Sequence, residues 1–254
     1  MILEAFNLCG KVALVTGALR GLGQGAALAL AEAGADVALL DYVNPAETKA
    51  AIEALGRRAI VIEQDLIAAT AKELAATVDT VVADLGRIDI LVNNAGIIRR
   101  APLLEHTAQD WDDVLAINLD AVFHLSQAAS RYFTRQSSGK IINIASMLSF
   151  QGGIFVPGYA ASKHAVAGIT KAFANELAAK GINTNAIAPG YMATDNTAPI
   201  RADAAREKSI LERIPAGRWG TPEDLKGAFV FLASAASDYL NGAIIPVDGG
   251  WLVR

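Results

Sequence analysis

The chain has 254 residues, of which 53% are apolar and 19% charged, and its formal net charge at pH 7 is −4. This length allows one large α/β domain or two small ones, and the acidic balance argues against a nucleic-acid-binding surface, which needs a clustered basic patch. The single cysteine, Cys9, excludes an intrachain disulfide.

Short apolar runs alternate with longer helical patterns along the chain, which predicts a parallel sheet covered by helices on both faces. The runs that predict strands are Val12–Thr16, Asp36–Asp41, Ala59–Glu63, Ile88–Val92, Ile141–Ala145, Thr184–Ala188 and Ala243–Val247. The helical patterns are Leu22–Ala33, Ala46–Leu55, Ala71–Leu85, Gln109–Arg135, Ala160–Lys180 and Pro222–Ser234. Glycines just past helices predict left-handed caps at Gly34, Gly56, Gly86, Gly139 and Gly181.

The pattern contains no repeat, low-complexity tract or linker, so residues 1–254 are expected to form one doubly wound domain with a seven-stranded parallel sheet, a Rossmann fold. The one long irregular stretch, residues 190–220, is a candidate active-site lid. The uncharged stretch between Lys140 and Lys163 is broken by Asn, Gln, Gly and Pro, so no membrane span is expected. The start of the chain has no basic segment followed by an apolar run, which favours a cytoplasmic protein.

A glycine-rich turn follows the first predicted strand and opens the first predicted helix, with Gly17, Gly21 and Gly23 in the sequence TGALRGLG. Such a turn lets backbone N–H groups approach a pyrophosphate at the helix N-terminus. Asp41 ends the second strand, 18 residues after Gly23, where a carboxylate accepts hydrogen bonds from ribose hydroxyls. It would repel a 2′-phosphate, which favours NAD over NADP. Arg20 favours the opposite choice, because a guanidinium in this turn can pair with a 2′-phosphate.

A candidate acid–base group lies near the middle of the chain. Tyr159 and Lys163 are four residues apart, so they share a helix face. A nearby ammonium stabilises phenolate and is expected to lower the pKa of Tyr159 from its ordinary value of about 10. Ser146 lies 13 residues before Tyr159, just past a strand, where its hydroxyl can hold a substrate oxygen. Taken singly, a Tyr-x-x-x-Lys spacing is also common on ordinary helix surfaces.

Together these motifs resemble the short-chain dehydrogenase/reductase family over essentially the whole chain. The resemblance rests on the glycine turn, the Asn93-Asn94-Ala95-Gly96 segment, and the residues Asp65, Leu66, Asn118, Ser146, Tyr159, Lys163, Pro189, Gly190 and Thr194. It implies an oxidoreductase of CH–OH groups that uses a nicotinamide cofactor and assembles as a homotetramer.

The resemblance also implies a role for each matching residue. Tyr159 would be the general acid and base, Ser146 would polarise the carbonyl, Lys163 would hold the nicotinamide ribose, and Asn118 would support a proton relay. Cofactor contacts are implied for Gly17, Arg20, Gly21, Leu22, Gly23, Asp41, Asp65, Leu66, Asn93, Ala95, Gly96, Pro189, Gly190, Met192 and Thr194. The segment Asn93–Gly96 is also expected to lock the central strand.

Less generic stretches resemble family members that act on keto-sugar acids in uronate breakdown, among them residues 98–100, 140–153, 188–194 and 214–220. They imply 2-keto-3-deoxygluconate, or its oxidised form 2,5-diketo-3-deoxygluconate, as substrate. Arg99 and Arg100 are candidate carboxylate partners, and Gln151 and Phe155 candidate pocket residues. Phe155 replaces an arginine expected in that segment, which leaves open another sugar acid, a polyol or a neutral ketone.

Two other protein classes are expected to differ from this sequence at the same motifs. A non-catalytic NAD-binding regulator would have lost Ser146, Tyr159 or Lys163, and a halohydrin lyase would have lost the glycine turn; the sequence retains all of them. His106, His124 and His164 do not cluster with carboxylates or with Cys9, so no metal site is expected.

Overall fold

The structure, a computed structural model, describes residues 1–254 and contains one sheet of seven parallel strands in the order β3-β2-β1-β4-β5-β6-β7. The strands are β1 (Val12–Thr16), β2 (Asp36–Asp41), β3 (Ala59–Glu63), β4 (Ile90–Asn93), β5 (Gly139–Ile144), β6 (Ile182–Pro189) and β7 (Ile244–Val247). This confirms the predicted doubly wound sheet. Every predicted strand is present, and its ends lie within two residues of those expected.

Nine α-helices connect or cover the strands. They are α1 (Gly21–Glu32), α2 (Ala46–Ala54), α3 (Ala71–Leu85), α4 (Ala108–Leu115), α5 (Ala121–Gln136), α6 (Pro157–Leu177), α7 (Ala198–Ala202), α8 (Ala204–Leu211) and α9 (Glu223–Ala233). Two large apolar clusters fill the core: one includes residues of α1 and α9, and the other residues of α3 and α5. They lie on opposite faces of the sheet, because successive side chains of β1 alternate between them. None of the helices is long and apolar enough to cross a membrane.

The single long helix predicted over Gln109–Arg135 is wrong. The chain forms α4, then a π-helical turn over Ala116–Asp120, then α5. Asn118 lies in that turn with its side chain fully buried. A hydrophobic pattern does not reveal such a turn, because one extra residue per turn hardly changes which face is apolar.

The predicted glycine cap at Gly139 is also wrong. Ser137 takes the left-handed conformation after α5, with φ of 52°, while Gly139 already belongs to β5. A Cβ atom at Gly139 would lie 2.1 Å from the Phe133 ring, so close packing and not cap geometry requires glycine there.

The segment 190–220 is less irregular than predicted, because it contains α7 and α8. The Asp203 carboxylate accepts hydrogen bonds from the backbone N–H groups of Ala205 and Arg206, both at 3.1 Å, and so caps α8. Both helices are short and weakly apolar, which is why no helical periodicity marks them in the sequence.

The strand order changes direction between β1 and β4, which are neighbours in the sheet although two strands separate them in sequence. In open parallel sheets this switch leaves a crevice beyond the carboxyl ends of the strands. The residues that end β1, β2, β4, β5 and β6 therefore surround one crevice.

Candidate active site

The glycine turn after β1 is shaped to accept an anion. Gly17 and Gly21 have φ of 68° and 61°, and a Cβ atom at Gly23 would lie 2.0 Å from the Gly17 carbonyl oxygen. The N-cap residue Arg20 has no capping side-chain bond, and the backbone N–H groups of Gly21, Leu22 and Gly23 have no acceptor in the protein. Free N–H groups at a helix N-terminus bind phosphate, so this turn fits the pyrophosphate of a dinucleotide.

Asp41 ends β2 beside this turn and is only 7% exposed. One carboxylate oxygen accepts the Leu19 N–H and the other accepts the Tyr42 N–H, each at 2.9 Å. Each oxygen keeps a lone pair for a further donor, such as a ribose hydroxyl. The Arg20 side chain is 66% exposed, and its guanidinium pairs with the exposed Asp195 carboxylate at 2.8 Å.

The Asn93–Gly96 segment provides the expected strand lock. The Asn94 amide donates to the carbonyls of Thr16 and Gly17, at 2.9 and 3.2 Å, and the Thr16 hydroxyl accepts the N–H groups of Asn94 and Ala95. These bonds join the carboxyl ends of β1 and β4 directly below the crevice.

Two predicted cofactor residues have their side chains elsewhere. The Asn93 amide donates to Ser126 and Asn143 inside the protein, at 2.9 and 2.8 Å, so its side chain supports the core. Leu66 packs into the apolar cluster beneath α3, whereas Asp65 is exposed and accepts the Ile67 N–H. Only the backbone of Asn93 and Leu66 can face a cofactor.

Ser146, Tyr159 and Lys163 come together at the carboxyl end of β5. The Ser146 oxygen accepts the Leu148 N–H at 3.1 Å, and its hydroxyl proton remains for a bond to the Tyr159 oxygen or to a substrate. Tyr159 and Lys163 lie on α6, with the Lys163 Nζ 5.5 Å from the centre of the Tyr159 ring. Lys163 is buried, and its Nζ donates to the Ile144 carbonyl at 2.6 Å, which holds it against the strand end.

The protonation of this group differs from the sequence expectation. Burial raises the pKa of the Tyr159 phenol, and a hydrogen bond with Ser146 and the charge of Arg100 only partly oppose it. Burial also lowers the pKa of Lys163 to about 8. In the protein alone the pKa of Tyr159 is therefore raised and not lowered, and the phenol keeps its proton at neutral pH.

Asn118 supports the site from the π-helical turn. Its amide oxygen accepts the Ile97 N–H at 2.9 Å, and its NH2 group donates to the Ile97 carbonyl and the Ser162 hydroxyl. Ser162 in turn donates to the Tyr159 carbonyl at 2.8 Å. The Asn118 side chain thus connects the loop after β4 with the helix that carries Tyr159.

The segment after β6 lies across the crevice from the glycine turn. Gly190 packs so closely on Asp248 that a Cβ atom would come within 2.5 Å of its Cα. Met192 pairs with Gly220 in an isolated β-bridge, and Thr194 lies 3.7 Å from the position of a Cβ on Gly21. The structure therefore places Thr194 opposite the turn, with Met192 two residues before it.

The four candidate substrate residues differ in whether their polar groups already have partners within the protein. Arg99 is paired with Asp113 at 3.1 Å and lies 3.8 Å from Asp110, whereas Arg100 has no carboxylate partner and donates only to the Asn196 carbonyl. The oxygen of Gln151 accepts the Trp251 indole N–H at 3.0 Å. The structure favours Arg100 over Arg99 as an anion receptor.

Phe155 has a strained backbone, with φ of 67°, and its ring is 45% exposed. Its carbonyl accepts the Ala101 N–H at 3.2 Å and lies 3.3 Å from the His106 ring nitrogen, so its segment is tied to the loop that carries Arg100. Non-glycine residues in this conformation are uncommon and concentrate at functional sites.

A further cluster beside the crevice, formed by Tyr191, Arg213, Trp219 and Trp251, is not predicted by the sequence motifs. The rings of Trp219 and Trp251 pack edge-on against Tyr191, and the Arg213 guanidinium stacks 3.8 Å from the centre of the Trp251 ring. The only signal was the position of Tyr191 directly after Pro189-Gly190. No group of three His, Cys, Asp or Glu side chains lies close enough together to hold a metal ion.

Comparisons with known proteins cover the whole chain. The family model described as enoyl-(acyl carrier protein) reductase matches residues 17–252. A 2-dehydro-3-deoxy-D-gluconate 5-dehydrogenase from Dickeya dadantii is 58% identical, and the alignment covers 100% of both chains.

Solved structures agree over a similar span. An Agrobacterium tumefaciens protein with bound NADP, provisionally named a 2-deoxy-D-gluconate 3-dehydrogenase, is 54% identical with a TM-score of 0.92, covering 99% of this chain and 100% of its own. A gluconate 5-dehydrogenase from Burkholderia cenocepacia, in complex with NADP and tartrate, is 40% identical with a TM-score of 0.94 and covers 100% of both.

Proposed function

The chain belongs to the short-chain dehydrogenase/reductase family, and we propose that it interconverts a hydroxyl and a keto group on a gluconate-type sugar acid. The observation that carries this proposal is the position of Arg100. Its guanidinium has no carboxylate partner, and its charge acts on the Tyr159 phenol. A cation beside the acid–base group is what a reaction on an anionic substrate needs.

The proton chemistry follows from the three residues at the end of β5. In the reduction, the Tyr159 phenol donates its proton to the substrate carbonyl oxygen, and its raised pKa keeps that proton available at neutral pH. The Ser146 hydroxyl turns from the Tyr159 oxygen to donate to the same substrate oxygen and polarises it. The nicotinamide cofactor, when bound, supplies or accepts the hydride. Lys163, fixed on the Ile144 carbonyl, has two further N–H donors for the ribose hydroxyls of that cofactor.

The specific substrate we propose is 2-keto-3-deoxygluconate, oxidised at C5 to 2,5-diketo-3-deoxygluconate in uronate breakdown. The full-length identity of 58% with the Dickeya dadantii enzyme supports this choice. Arg100 supports it independently, because the substrate carries one carboxylate and a guanidinium binds a carboxylate in two parallel hydrogen bonds.

We propose NAD as the preferred cofactor. Asp41 is held with both carboxylate oxygens at the end of β2, where a 2′-phosphate would meet a negative charge. Arg20, the one cation in the turn, is occupied by Asp195. The two structural relatives described above contain NADP, so the preference needs a direct measurement on this chain.

The test is a screen of NADH and NADPH oxidation with 2,5-diketo-3-deoxygluconate, 5-ketogluconate and neutral ketones. We expect the highest kcat/KM with a keto-sugar acid and NADH. A neutral ketone as the best substrate would remove the sugar-acid proposal, and an equal or higher kcat/KM with NADPH would remove the NAD preference.

The variant Arg100→Met sharpens this test. It should raise KM for the sugar acid about 10- to 100-fold while changing KM for a neutral ketone little, because one charged hydrogen-bonding partner is lost. Arg99→Met is the neighbouring control, since Arg99 is already paired with Asp113. Equal effects of Arg100→Met on both substrates would contradict a role in carboxylate recognition.

A further inference from the structure

Beyond Arg100, the wall of the crevice formed by segment 190–220 and the C-terminus carries further arginines. Burial raises the pKa of the Tyr191 phenol, and the charges of Arg206, Arg213 and Arg100 oppose that rise. None of these three arginines pairs with a carboxylate, although the protein as a whole is acidic. Arg100 reaches this wall directly, because its guanidinium donates to the Asn196 carbonyl at 3.1 Å.

Arg213 is held in a fixed orientation that leaves its donors free. Its guanidinium stacks 3.8 Å from the centre of the Trp251 ring and makes no hydrogen bond within the protein. The N–H bonds of a guanidinium lie in the plane of the group. When that plane stacks on an aromatic ring, the N–H groups remain available to a ligand at the edge of the guanidinium. Such preorganisation lowers the entropy lost on binding.

Trp251 itself is rigid. It is 6% exposed, its ring centre lies 4.7 Å from that of Tyr191, and its indole N–H donates to the Gln151 oxygen. An indole can only donate, so this bond also fixes the orientation of the Gln151 amide and leaves the NH2 group of Gln151 without a partner in the protein. Trp251 thereby orients two donor groups, one on Arg213 and one on Gln151.

Two further donors on this wall lack acceptors. The Trp219 indole N–H and the Arg201 Nε are buried and make no hydrogen bond. Trp219 packs against Tyr191, and Arg201 donates through another nitrogen to the Thr194 carbonyl at 3.1 Å. Because both atoms are buried, they do not themselves reach a ligand in the crevice.

We infer that Arg213, presented by Trp251, forms with Arg100 a two-sided clamp for the substrate carboxylate, and that the Tyr191 hydroxyl donates to the same group. This inference rests on the proposed function, because it assigns the acidic end of that substrate to segment 190–220. Arg213 and Tyr191 are binding residues, and Trp251 is a positioning residue that acts through Arg213.

The test compares Arg213→Met with Arg213→Lys in the full-length enzyme. Arg213→Met should raise KM for 2,5-diketo-3-deoxygluconate about 10- to 100-fold, leave kcat within about twofold, and leave the kinetics of a neutral ketone unchanged. Arg213→Lys should recover part of the loss, because it keeps the charge without the planar fork. Arg135→Met is the matched control, since Arg135 also lies over an aromatic ring, that of Tyr132, and lies outside the crevice.

A binding measurement tests the carboxylate clamp without depending on the proposed reaction. Calorimetric titration with D-gluconate and with the neutral polyol sorbitol should show gluconate binding that Arg213→Met weakens at least tenfold and Arg135→Met leaves unchanged. If wild type binds gluconate in this way but reduces no keto-sugar acid, the proposed function fails and the clamp stands.

The clamp is overturned if Arg213→Met affects acid and neutral ligands equally, or affects neither. Because Arg213 is exposed, the variant should fold, and its circular dichroism and melting temperature should match wild type. In combination with Arg100→Met, the two effects on KM should be non-additive, since both residues contact one carboxylate. Strictly additive effects would contradict a shared ligand.

Discussion

The two sides of the crevice are built by different means. The nucleotide side, from β1 to β4, is fixed by hydrogen bonds to backbone groups, such as those that Asn94 and Thr16 exchange between the two strand ends. The substrate side, residues 190–220 with the C-terminus, contains two short helices and combines backbone bonds, such as that from the Ala193 N–H to the Gly220 carbonyl, with aromatic stacking and an exposed ion pair. Because its side-chain contacts lie outside the sheet, the second side can be altered without unfolding the sheet.

The largest expected effect is a loss of proton transfer while both sides of the crevice stay intact. Tyr159→Phe removes the proton donor but keeps the ring, and it should lower kcat by about 10²- to 10⁴-fold. Titration of NADH fluorescence should show a dissociation constant within about threefold of wild type, because the nucleotide side is unchanged. Near-wild-type turnover in this variant would contradict the assignment of Tyr159.

One added methyl group is enough to disrupt the glycine turn on the nucleotide side. Gly23→Ala places a methyl group 2.0 Å from the Gly17 carbonyl oxygen, so the turn must open. We expect weaker NADH binding and a loss of about 1–3 kcal/mol in the free energy of unfolding, measured by denaturant titration.

Gly227→Ala is the control for this change. Gly227 lies in α9, and a Cβ atom there would have open space around it. The substitution should stabilise the protein by about 0.5–1 kcal/mol, because alanine favours a helix more than glycine does. If both alanine variants behave alike, steric crowding does not fix the turn.

The pH dependence of kcat/KM tests the protonation of Lys163 and Tyr159, which lie where the two sides of the crevice meet. Because burial lowers the pKa of Lys163 to about 8, its ammonium is present below that pH and is lost as the pH rises through it. Tyr159, whose pKa is raised, stays protonated over the same range. In the reduction, kcat/KM should therefore decline above about pH 8. Lys163→Arg, which keeps its charge, should move this decline to higher pH even if its rate is lower. A wild-type profile that stays flat to about pH 9.5 would contradict the role of the ammonium.

The smallest expected effect concerns the one ion pair that joins the two sides. Asp195→Asn releases Arg20 and should lower KM for NADPH by about fivefold at most, because exposed ion pairs are weak. KM for NADH should change little, and the effect on NADPH should shrink at high salt. An unchanged KM for NADPH at low salt would show that Asp195 does not restrain Arg20.

Much of the nucleotide side is predictable because local sequence determines it. A strand, a turn with glycine where φ is positive, and a helix follow one another within β1 and α1, and the acid at Asp41 ends the next strand. The core role of the Asn93 side chain was not predictable, since its partners Ser126 and Asn143 lie 33 and 50 residues away. The π-helical turn at Asn118 escaped prediction for a similar reason: its bonds are to Ile97 and Ser162.

The sequence by itself determined the sheet, the order of its elements and the identity of the acid–base group, because these depend on periodicity and on residues close together in the chain. Only the tertiary structure decided which arginines are free. Arg99 and Arg100 are neighbours in sequence, yet Asp113 neutralises one and leaves the other available. It likewise decided that Trp251 and Arg213 join Tyr191, because charge pairing and stacking depend on which distant side chains the fold brings within a few ångströms.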